Sequence, residues 1–133
     1  MLTVTQASYV AGFIDGEGCF LISPDKRNGK LRGYSVRVDT CNCDINVLEI
    51  LKKWIGGGSI QEKKRNLLIH KRNFVLKITG DTLRQLISDI RPYLIIKSQQ
   101  ADVVRNALSL NKRKGKKKHL FDCNERISLI TNL

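Results

Sequence analysis

Apolar residues in this chain follow two spacings, one typical of helices and the other of strands. In four segments they recur every three or four positions, which predicts helices with one buried face. In the first segment Tyr9, Val10, Phe13 and Ile14 supply that face, and Thr3 or Thr5 is expected to cap the helix. The predicted helices cover Thr5–Asp15, Asp44 to about Trp54, Thr82–Ile90 and about Lys97–Leu110.

Strict alternation of apolar and polar residues predicts strands between the first three helices. The clearest case places Tyr34, Val36 and Val38 on one side of a strand and polar residues on the other. The segment Pro24–Arg32, rich in Pro, Asp, Asn, Gly and Lys, is predicted to be a turn. The other predicted strands cover Cys19–Ser23, Ser59–Lys64 and Leu68–Ile78.

The order of these elements predicts an α+β fold in a single domain, residues 1–133. Two hairpins supply four strands, which form one antiparallel sheet with the helices packed on its apolar face. Asn111–His119 is expected to be a basic, flexible segment, and Arg126–Leu133 is a candidate for a short closing helix.

The opposite face of the predicted sheet is polar and basic. A twisted sheet with such a face suits a DNA groove, because a two-stranded ribbon fits the major groove. A solvated face without a partner produces the same alternation, so the pattern alone leaves both interpretations open. The residues predicted to contact DNA are Ser23, Arg27, Arg32, Ser35, Arg37, Asp39, Gln61, Lys63, Arg65, Lys71, Asn73 and Lys77.

The net charge favours a nucleic-acid partner. The chain has 24 Lys and Arg residues against 12 Asp and Glu residues, a formal net charge of +12. An excess of this size indicates a polyanionic partner rather than a merely solubilising surface. No apolar segment reaches the roughly 20 residues that span a bilayer, and the N-terminus lacks the features of a secretion signal. We therefore expect an intracellular protein without a membrane partner, in a bacterial or archaeal cytoplasm or in an organelle.

The cysteines do not predict a metal site. Cys41 and Cys43 are separated by one residue and lack a partnering pair at zinc spacing. In a reducing compartment all four cysteines, including Cys19 and Cys123, are expected to be free thiols.

A stripe of small residues runs along the first predicted helix. Ser8, Gly12 and Gly16 recur every four residues and therefore stack on one side. Glycine inside a helix costs about 1 kcal/mol relative to alanine, a cost that close contact with another element usually offsets. The stripe therefore predicts a short-range contact with a second helix.

The segment Tyr9–Gly18, with the sequence YVAGFIDGEG, resembles the signature of the LAGLIDADG homing endonucleases. Glu17 stands where the signature has its final Asp. The resemblance extends over most of the chain through the Asp44–Leu51 helix, the Ile55–Gly58 turn and the segment Pro92–Lys97. It implies the αββαββα fold of this family and site-specific cutting of double-stranded DNA.

The catalytic roles that the resemblance implies centre on Glu17. In the family the last acid of the signature binds a divalent metal, and the carbonyl group of the preceding residue, here Gly16, also contacts metal. Mg²⁺ prefers a few carboxylates together with phosphate oxygens and waters. Mg²⁺ is the expected cofactor, with Mn²⁺ able to substitute and Ca²⁺ expected to bind without cleavage. Asp15 is expected to close off the helix end rather than to act in catalysis.

Two further site positions carry over from the resemblance. The family often has a Gln or a similar polar residue just before the second helix, where it orders water around the metals. Asn42 matches this position by its distance from Asp44, and Thr40 is the alternative. A family lysine after the third helix lies near the scissile phosphate, where it can stabilise negative charge. Lys97 stands at that place, with an ordinary lysine in the first turn of a helix as the alternative interpretation.

The presence of one signature implies that two chains form the cutting unit. Longer family members carry two signatures and form a pseudo-dimer within one chain, so this chain is expected to pair through its first helix. Two Glu17 carboxylates would then meet near the twofold axis, and the target would be close to palindromic. The alternative is a non-cleaving protein of the same fold, either an intron RNA maturase or a DNA-binding protein. The expected interface residues are Ser8, Ala11, Gly12, Asp15 and Gly16.

Overall fold

The computed structural model describes residues 1–63 and 72–112. Within these ranges the order is helix, two strands, helix, two strands, and two helices separated by a 3-10 turn, which confirms the predicted α+β class. Several predictions lie outside the described residues, namely the start of the fourth strand, the DNA contacts of Arg65 and Lys71, Cys123, the basic segment beyond residue 112 and the closing helix Arg126–Leu133.

The first helix, α1 (Val4–Glu17), begins with a capping box. The Thr3 hydroxyl accepts a hydrogen bond from the Gln6 N–H at 3.1 Å, and the Gln6 side chain accepts one from the Thr3 N–H at 3.2 Å. This arrangement identifies Thr3, rather than Thr5, as the cap. The helix continues two residues beyond its predicted end, so Glu17 is its last residue.

Strands β1 (Gly18–Arg27) and β2 (Lys30–Asn42) form a long hairpin, so the prediction of a turn over Pro24–Arg32 was wrong. The connection consists of Asn28 and Gly29, whose φ angles are 52° and 75°. Positive φ at both central residues is typical of the tight turn that best matches strand twist, and Asn-Gly is its preferred sequence. The strands pair up to this turn, which extends the sheet well past the predicted strand ends.

Helix α2 (Ile45–Ile55) begins and ends close to the predicted positions. The Asp44 carboxylate accepts a hydrogen bond from the Asn46 N–H at 2.9 Å and caps the first turn. Gly56 ends the helix with φ of 85°, a left-handed conformation that glycine adopts without strain.

Strands β3 (Ser59–Glu62) and β4 (Phe74–Thr79) complete one four-stranded sheet in the order β1-β2-β4-β3. All neighbouring strands are antiparallel, as predicted. Val75 lies on the polar face of the sheet but is buried, since Cys41 and Gln61 flank it in the two neighbouring strands.

Two further helices, α3 (Gly80–Ile90) and α4 (Ser98–Lys112), complete the described chain. Pro92 lies in the 3-10 turn Arg91–Tyr93, which directly follows α3 at its predicted end, Ile90. The Arg91 guanidinium donates two hydrogen bonds to the Asp102 carboxylate, at 2.7 and 3.0 Å. This bidentate contact ties the start of α4 to the end of α3.

The core lies between the helices and one face of the sheet. Alternate residues of β2 and β4, among them Val38, Leu76 and Ile78, pack there against buried side chains from all four helices. On the opposite face the side chains are half-buried or exposed, apart from Val75. None of the helices in the described ranges is long and apolar enough to cross a membrane.

Candidate active site and nucleic-acid interface

Glu17 is presented at the surface where α1 meets the sheet. It is exposed, and the next residue, Gly18, is the first residue of β1. A side chain at Gly18 would lie only 2.7 Å from the Ile14 carbonyl oxygen, so the chain can turn this tightly only with glycine. The sequence therefore fixes the carboxylate of Glu17 at the junction of α1 and β1.

The donor groups at this junction suit a hard divalent cation but do not surround one. Glu17 supplies carboxylate oxygens, and a side chain at Gly16 would meet nothing within 4 Å, so ligands and metal can approach its backbone. Within residues 1–63 and 72–112 no group of three His, Cys, Asp or Glu residues is arranged to hold a metal. The described side chains therefore do not complete a metal site at Glu17, and phosphate or a second carboxylate would supply further oxygen donors.

Lys97 lies at the same end of α1, although it is 80 residues away from Glu17 in sequence. Its ammonium group donates a hydrogen bond to the Asp15 carbonyl oxygen at 2.6 Å. Carbonyl groups at a helix C-terminus carry partial negative charge and attract cations. The fold thus brings Lys97 to the last turn of the helix that ends in Glu17.

The Asp15 side chain connects α1 to the segment before α4. Its carboxylate accepts hydrogen bonds from the N–H groups of Ile95 at 2.7 Å and Lys97 at 3.0 Å. Burial raises the pKa of Asp15, but these N–H groups, that of Ile96 and the charge of Lys97 outweigh it and lower the pKa below its ordinary value. Asp15 thus has a structural role within the chain.

Asn42 and Thr40, the two candidates for ordering water, differ in accessibility. Thr40 lies opposite Gly18 in the hairpin, but it is 1% exposed and its hydroxyl has no hydrogen-bond partner among the described residues. Asn42 is half-buried at the end of β2, and its side-chain oxygen accepts the Asp44 N–H at 2.8 Å. That bond leaves the Asn42 amide NH₂ group able to bind water, whereas Thr40 is shielded from it.

The small-residue stripe forms an uncovered face of α1. Ser8, Gly12 and Gly16 are all exposed, and a side chain at either glycine would meet nothing within 4 Å. Ala11, which was expected in the same interface, is instead fully buried in the core of its own chain. Adjacent residues of a helix point about 100° apart, so Ala11 faces the core while Gly12 faces outwards.

Large apolar side chains border this uncovered face. Val4 and Tyr9 are 68% and 51% exposed, and Tyr9 packs edge-on against Trp54 of α2. Beside the other end of α1, Ile95 and Ile96 are 85% and 73% exposed. The sequence analysis missed these isoleucines, although two adjacent isoleucines between Pro92 and a predicted helix were the available signal.

The open face of the sheet places the predicted DNA-contacting residues in rows across the strands. The central row joins Cys19, Asp39, Lys77 and Ser59. The next row joins Leu21, Arg37 and Thr79, followed by the pair of Ser23 and Ser35. Ser35, Arg37, Asp39, Gln61 and Lys77 therefore share one face, as predicted, and Ser23 lies on the same face.

Four other predicted contacts lie at the margins of this face. The Lys63 N–H donates to the Asn73 carbonyl at 2.8 Å, which continues the β3–β4 pairing at one end of the sheet. Arg27 and Arg32 are exposed at the hairpin turn. The strand register shifts between Asp25 and Lys26, which leaves Arg32 without a paired residue in β1. Its DNA contact stays a prediction.

Arg37 and Asp39 form an ion pair near the centre of the open face. Arg37 Nε and Asp39 Oδ1 are 3.0 Å apart, and both atoms are buried without a well-aligned hydrogen bond. The Asp39 side chain is 16% exposed and that of Arg37 35%. A partly desolvated pair of this kind can offer both a donor and an acceptor to base edges.

Comparison with known proteins gives a consistent result. The sequence profile of a family described as LAGLIDADG endonuclease matches residues 10–105. Among curated proteins, no sequence matches the chain. Solved structures of homing endonucleases match its fold.

Three of these structures illustrate the likeness. The homing endonuclease I-CvuI, in complex with its target and with Ca, has a TM-score of 0.75 and 19% identity, over 98% of this chain and 83% of that one. An archaeal intron-encoded homing endonuclease complexed with DNA, I-Vdi141I, has a TM-score of 0.78 and 19% identity. The match covers 96% of this chain and 81% of that one. The meganuclease I-SmaMI, bound to uncleaveable DNA, has a TM-score of 0.80 and 17% identity, over 96% of this chain but 44% of its own.

Proposed function

The chain belongs to the LAGLIDADG endonuclease family, and from that premise we propose that two copies of it cut double-stranded DNA at one specific site, using divalent metal ions bound by their Glu17 carboxylates. The observation that carries this proposal is the position of Glu17. It is an exposed acid at the end of a helix with an uncovered stripe, and the last turn of that helix holds the Lys97 ammonium group at the Asp15 carbonyl oxygen.

Glu17 and the Gly16 carbonyl group would hold the metal. Mg²⁺ suits these oxygen donors, with Mn²⁺ as a substitute and Ca²⁺ as an ion that supports binding without cleavage. When bound, the ion supplies charge neutralisation at the phosphate and acidifies a water molecule. Lys97 contributes a fixed positive charge where negative charge develops, and the Asn42 amide group orients water beside the last turn of α1.

Pairing through α1 would complete the site. The uncovered face at Ser8, Gly12 and Gly16 lets two helices approach closely, and Asp15 lies beside it. The exposed apolar residues that border it would be buried by the same contact, which favours association. An isologous interface of this kind brings two Glu17 residues near the twofold axis, one for each DNA strand.

The chain matches structural neighbours of two different lengths. It spans 83% of I-CvuI but only 44% of I-SmaMI. In the proposed pair a second copy would take the place of the remainder of the I-SmaMI chain. The resulting twofold symmetry favours a nearly palindromic target, of the kind found at an intron insertion site.

The open face of the sheet would read the target sequence. Arg37, Asp39 and Lys77 offer donors and acceptors to base edges in the major groove. The surrounding basic residues, in a chain with a net charge of +12, would contact phosphates and fix the register.

Purified protein, Mg²⁺ and a plasmid that carries the uninterrupted insertion locus test this proposal. The expected result is linear plasmid cut at one position, and a plasmid with a scrambled locus is the control. Tight binding without cleavage under any divalent metal would overturn the proposal in favour of a maturase or a DNA-binding protein. Sedimentation on target DNA should give two chains per duplex, and a single chain would contradict the paired site.

A further inference from the structure

Both polar ends of Lys97 are bonded to one residue, Asp15. The Lys97 N–H donates to the Asp15 carboxylate at 3.0 Å, and its ammonium group donates to the Asp15 carbonyl oxygen at 2.6 Å. The other carboxylate oxygen accepts the Ile95 N–H at 2.7 Å. These contacts join α1 to the segment before α4 across 80 or more residues of sequence.

We propose that Asp15 is a positioning residue that holds the Lys97 ammonium group beside Glu17, where the reaction requires positive charge. This inference rests on the proposed function. It assigns Asp15 a task beyond closing the end of α1, because the same side chain determines where Lys97 can reach.

The location of Lys97 supports this role over simple helix stabilisation. Lys97 directly precedes α4, so its backbone lies at the N-terminus of that helix, where partial positive charge disfavours a cation. The negative charge of the Asp15 carboxylate offsets the partial positive charge at the N-terminus of α4. The Asp15 carbonyl oxygen, near the end of α1, accepts a hydrogen bond from the Lys97 ammonium group. The lysine is thus directed away from its own helix and towards α1.

Leu94 is buried in the core, but the two side chains between it and Lys97 do little to hold the segment. Ile95 and Ile96 are 85% and 73% exposed, so their burial does not fix the backbone within one chain. A lysine side chain loses roughly 2 kcal/mol of rotamer entropy when it is held in one position. Between the Leu94 anchor and the Ala101 N–H that bonds the Lys97 carbonyl oxygen, the hydrogen bonds of Asp15 are the contacts that direct the Lys97 side chain to α1.

A double-mutant cycle tests the proposal. Asp15→Asn, Lys97→Met and the double variant are compared by single-turnover cleavage in Mg²⁺ and by target affinity in Ca²⁺. Asp15→Asn should lower the cleavage rate about 10- to 100-fold, with target affinity unchanged. In the Lys97→Met background the same substitution should change the rate by less than about twofold. Equal losses in both backgrounds would overturn the proposal, because Asp15 would then act independently of Lys97.

Asp89→Asn is the matched control. The Asp89 carboxylate also accepts a backbone N–H, that of Leu2, at 3.1 Å, but Leu2 precedes the opposite end of α1. Loss of that bond should leave the cleavage rate unchanged. If Asp15→Asn does not fold, Asp15→Glu serves as the second variant, since it keeps the charge on a longer side chain.

Amide hydrogen exchange provides a readout that does not depend on cleavage. Asp15→Asn should accelerate exchange at Ile95 and Lys97, and Asp89→Asn should not. If the wild-type protein cuts no DNA, the proposed function fails, and exchange still decides whether Asp15 holds Lys97. Unchanged exchange at both amides would overturn the inference by itself.

Discussion

Gly18 pairs with Thr40 across β1 and β2, so the residue that follows Glu17 is the first paired residue of the hairpin. The helix that ends in the proposed metal ligand therefore leads into the sheet without an intervening loop. A side chain at Gly18 would lie 2.7 Å from the Ile14 carbonyl oxygen and 2.8 Å from the Ile14 side chain. This tight junction relates the position of Glu17 to the surface that would read DNA.

Gly18→Ala should therefore destabilise the protein. The added methyl group meets the backbone at Ile14, which cannot move without shifting the end of α1. Forced overpacking of this kind typically costs about 1–3 kcal/mol, which urea unfolding measures. Gly29→Ala is the comparison. Gly29 has a positive φ but open space around it, so this variant shows the effect of backbone strain without a steric clash. An unchanged midpoint for Gly18→Ala would show that the junction is not tight.

Gly12→Leu should abolish pairing without unfolding the chain. A side chain at Gly12 meets nothing within 4 Å, and leucine is a better helix former than glycine by nearly 1 kcal/mol. The bulk of leucine would, however, keep two α1 helices apart. Sedimentation should then show single chains with an unchanged helical circular dichroism signal, and cleavage should be lost.

Ser88→Leu places the same side chain on an exposed position of α3 and should leave pairing intact. A Gly12→Leu protein that still sediments as two chains would exclude α1 as the interface.

Asp39→Asn should reduce discrimination between target and non-target DNA. The substitution removes a negative charge beside Arg37 and opposite Lys77, so phosphate-driven binding to any sequence should become tighter. Loss of one base-specific contact corresponds to about 1–3 kcal/mol of discrimination. Affinities for the target and for a scrambled duplex, measured at the same salt concentration, test this.

Asp81→Asn is the control, since Asp81 also pairs with an arginine, Arg84, but on the helical side of the sheet. If Asp39→Asn discriminates between target and scrambled DNA as well as the wild type does, Asp39 does not read bases.

Stability should fall on acidification through Asp15 and Asp102. Burial raises the pKa of Asp15, but hydrogen bonds from backbone N–H groups lower it below the ordinary value of 3.8. The Arg91 side chain lowers the pKa of Asp102 in the same direction. Their contribution is therefore fully present above pH 3.8 and is lost as pH falls through the lowered folded-state pKa. Urea midpoints from neutral to acid pH should show this fall, with a shallower slope in Asp102→Asn. An identical slope in that variant would assign the effect to other groups.

The sequence predicted α1, α2 and the sheet well because local signals agreed there. Thr3 and Asp44 cap the two helices, and alternation identified β2. The hairpin turn was missed because Pro24 and several charges suggested a loop, whereas the Asn28-Gly29 dipeptide was the decisive signal. Proline is tolerated in β1 because that strand lies at the edge of the sheet.

Contacts between distant parts of the chain were harder to predict. Ala11 and Gly12 are both small, and only the packing of α1 on the sheet shows that one is buried and the other exposed. The bonds between Asp15 and the segment before α4 join residues 80 or more positions apart. No local pattern specifies such a contact, because it depends on how α3 and the 3-10 turn direct the chain back towards α1.

The central claim, that Glu17 holds the metal for DNA cleavage, is tested most directly by Glu17→Gln. This substitution keeps the size of the side chain and removes its charge. Target affinity in Ca²⁺ and single-turnover cleavage in Mg²⁺ are measured for the wild type, for Glu17→Gln and for Glu49→Gln, which alters an exposed acid on α2. The proposal predicts that Glu17→Gln binds the target but cleaves it at least about a thousandfold more slowly, equivalent to roughly 4 kcal/mol, while Glu49→Gln cleaves normally. Cleavage by Glu17→Gln at the wild-type rate would contradict the claim.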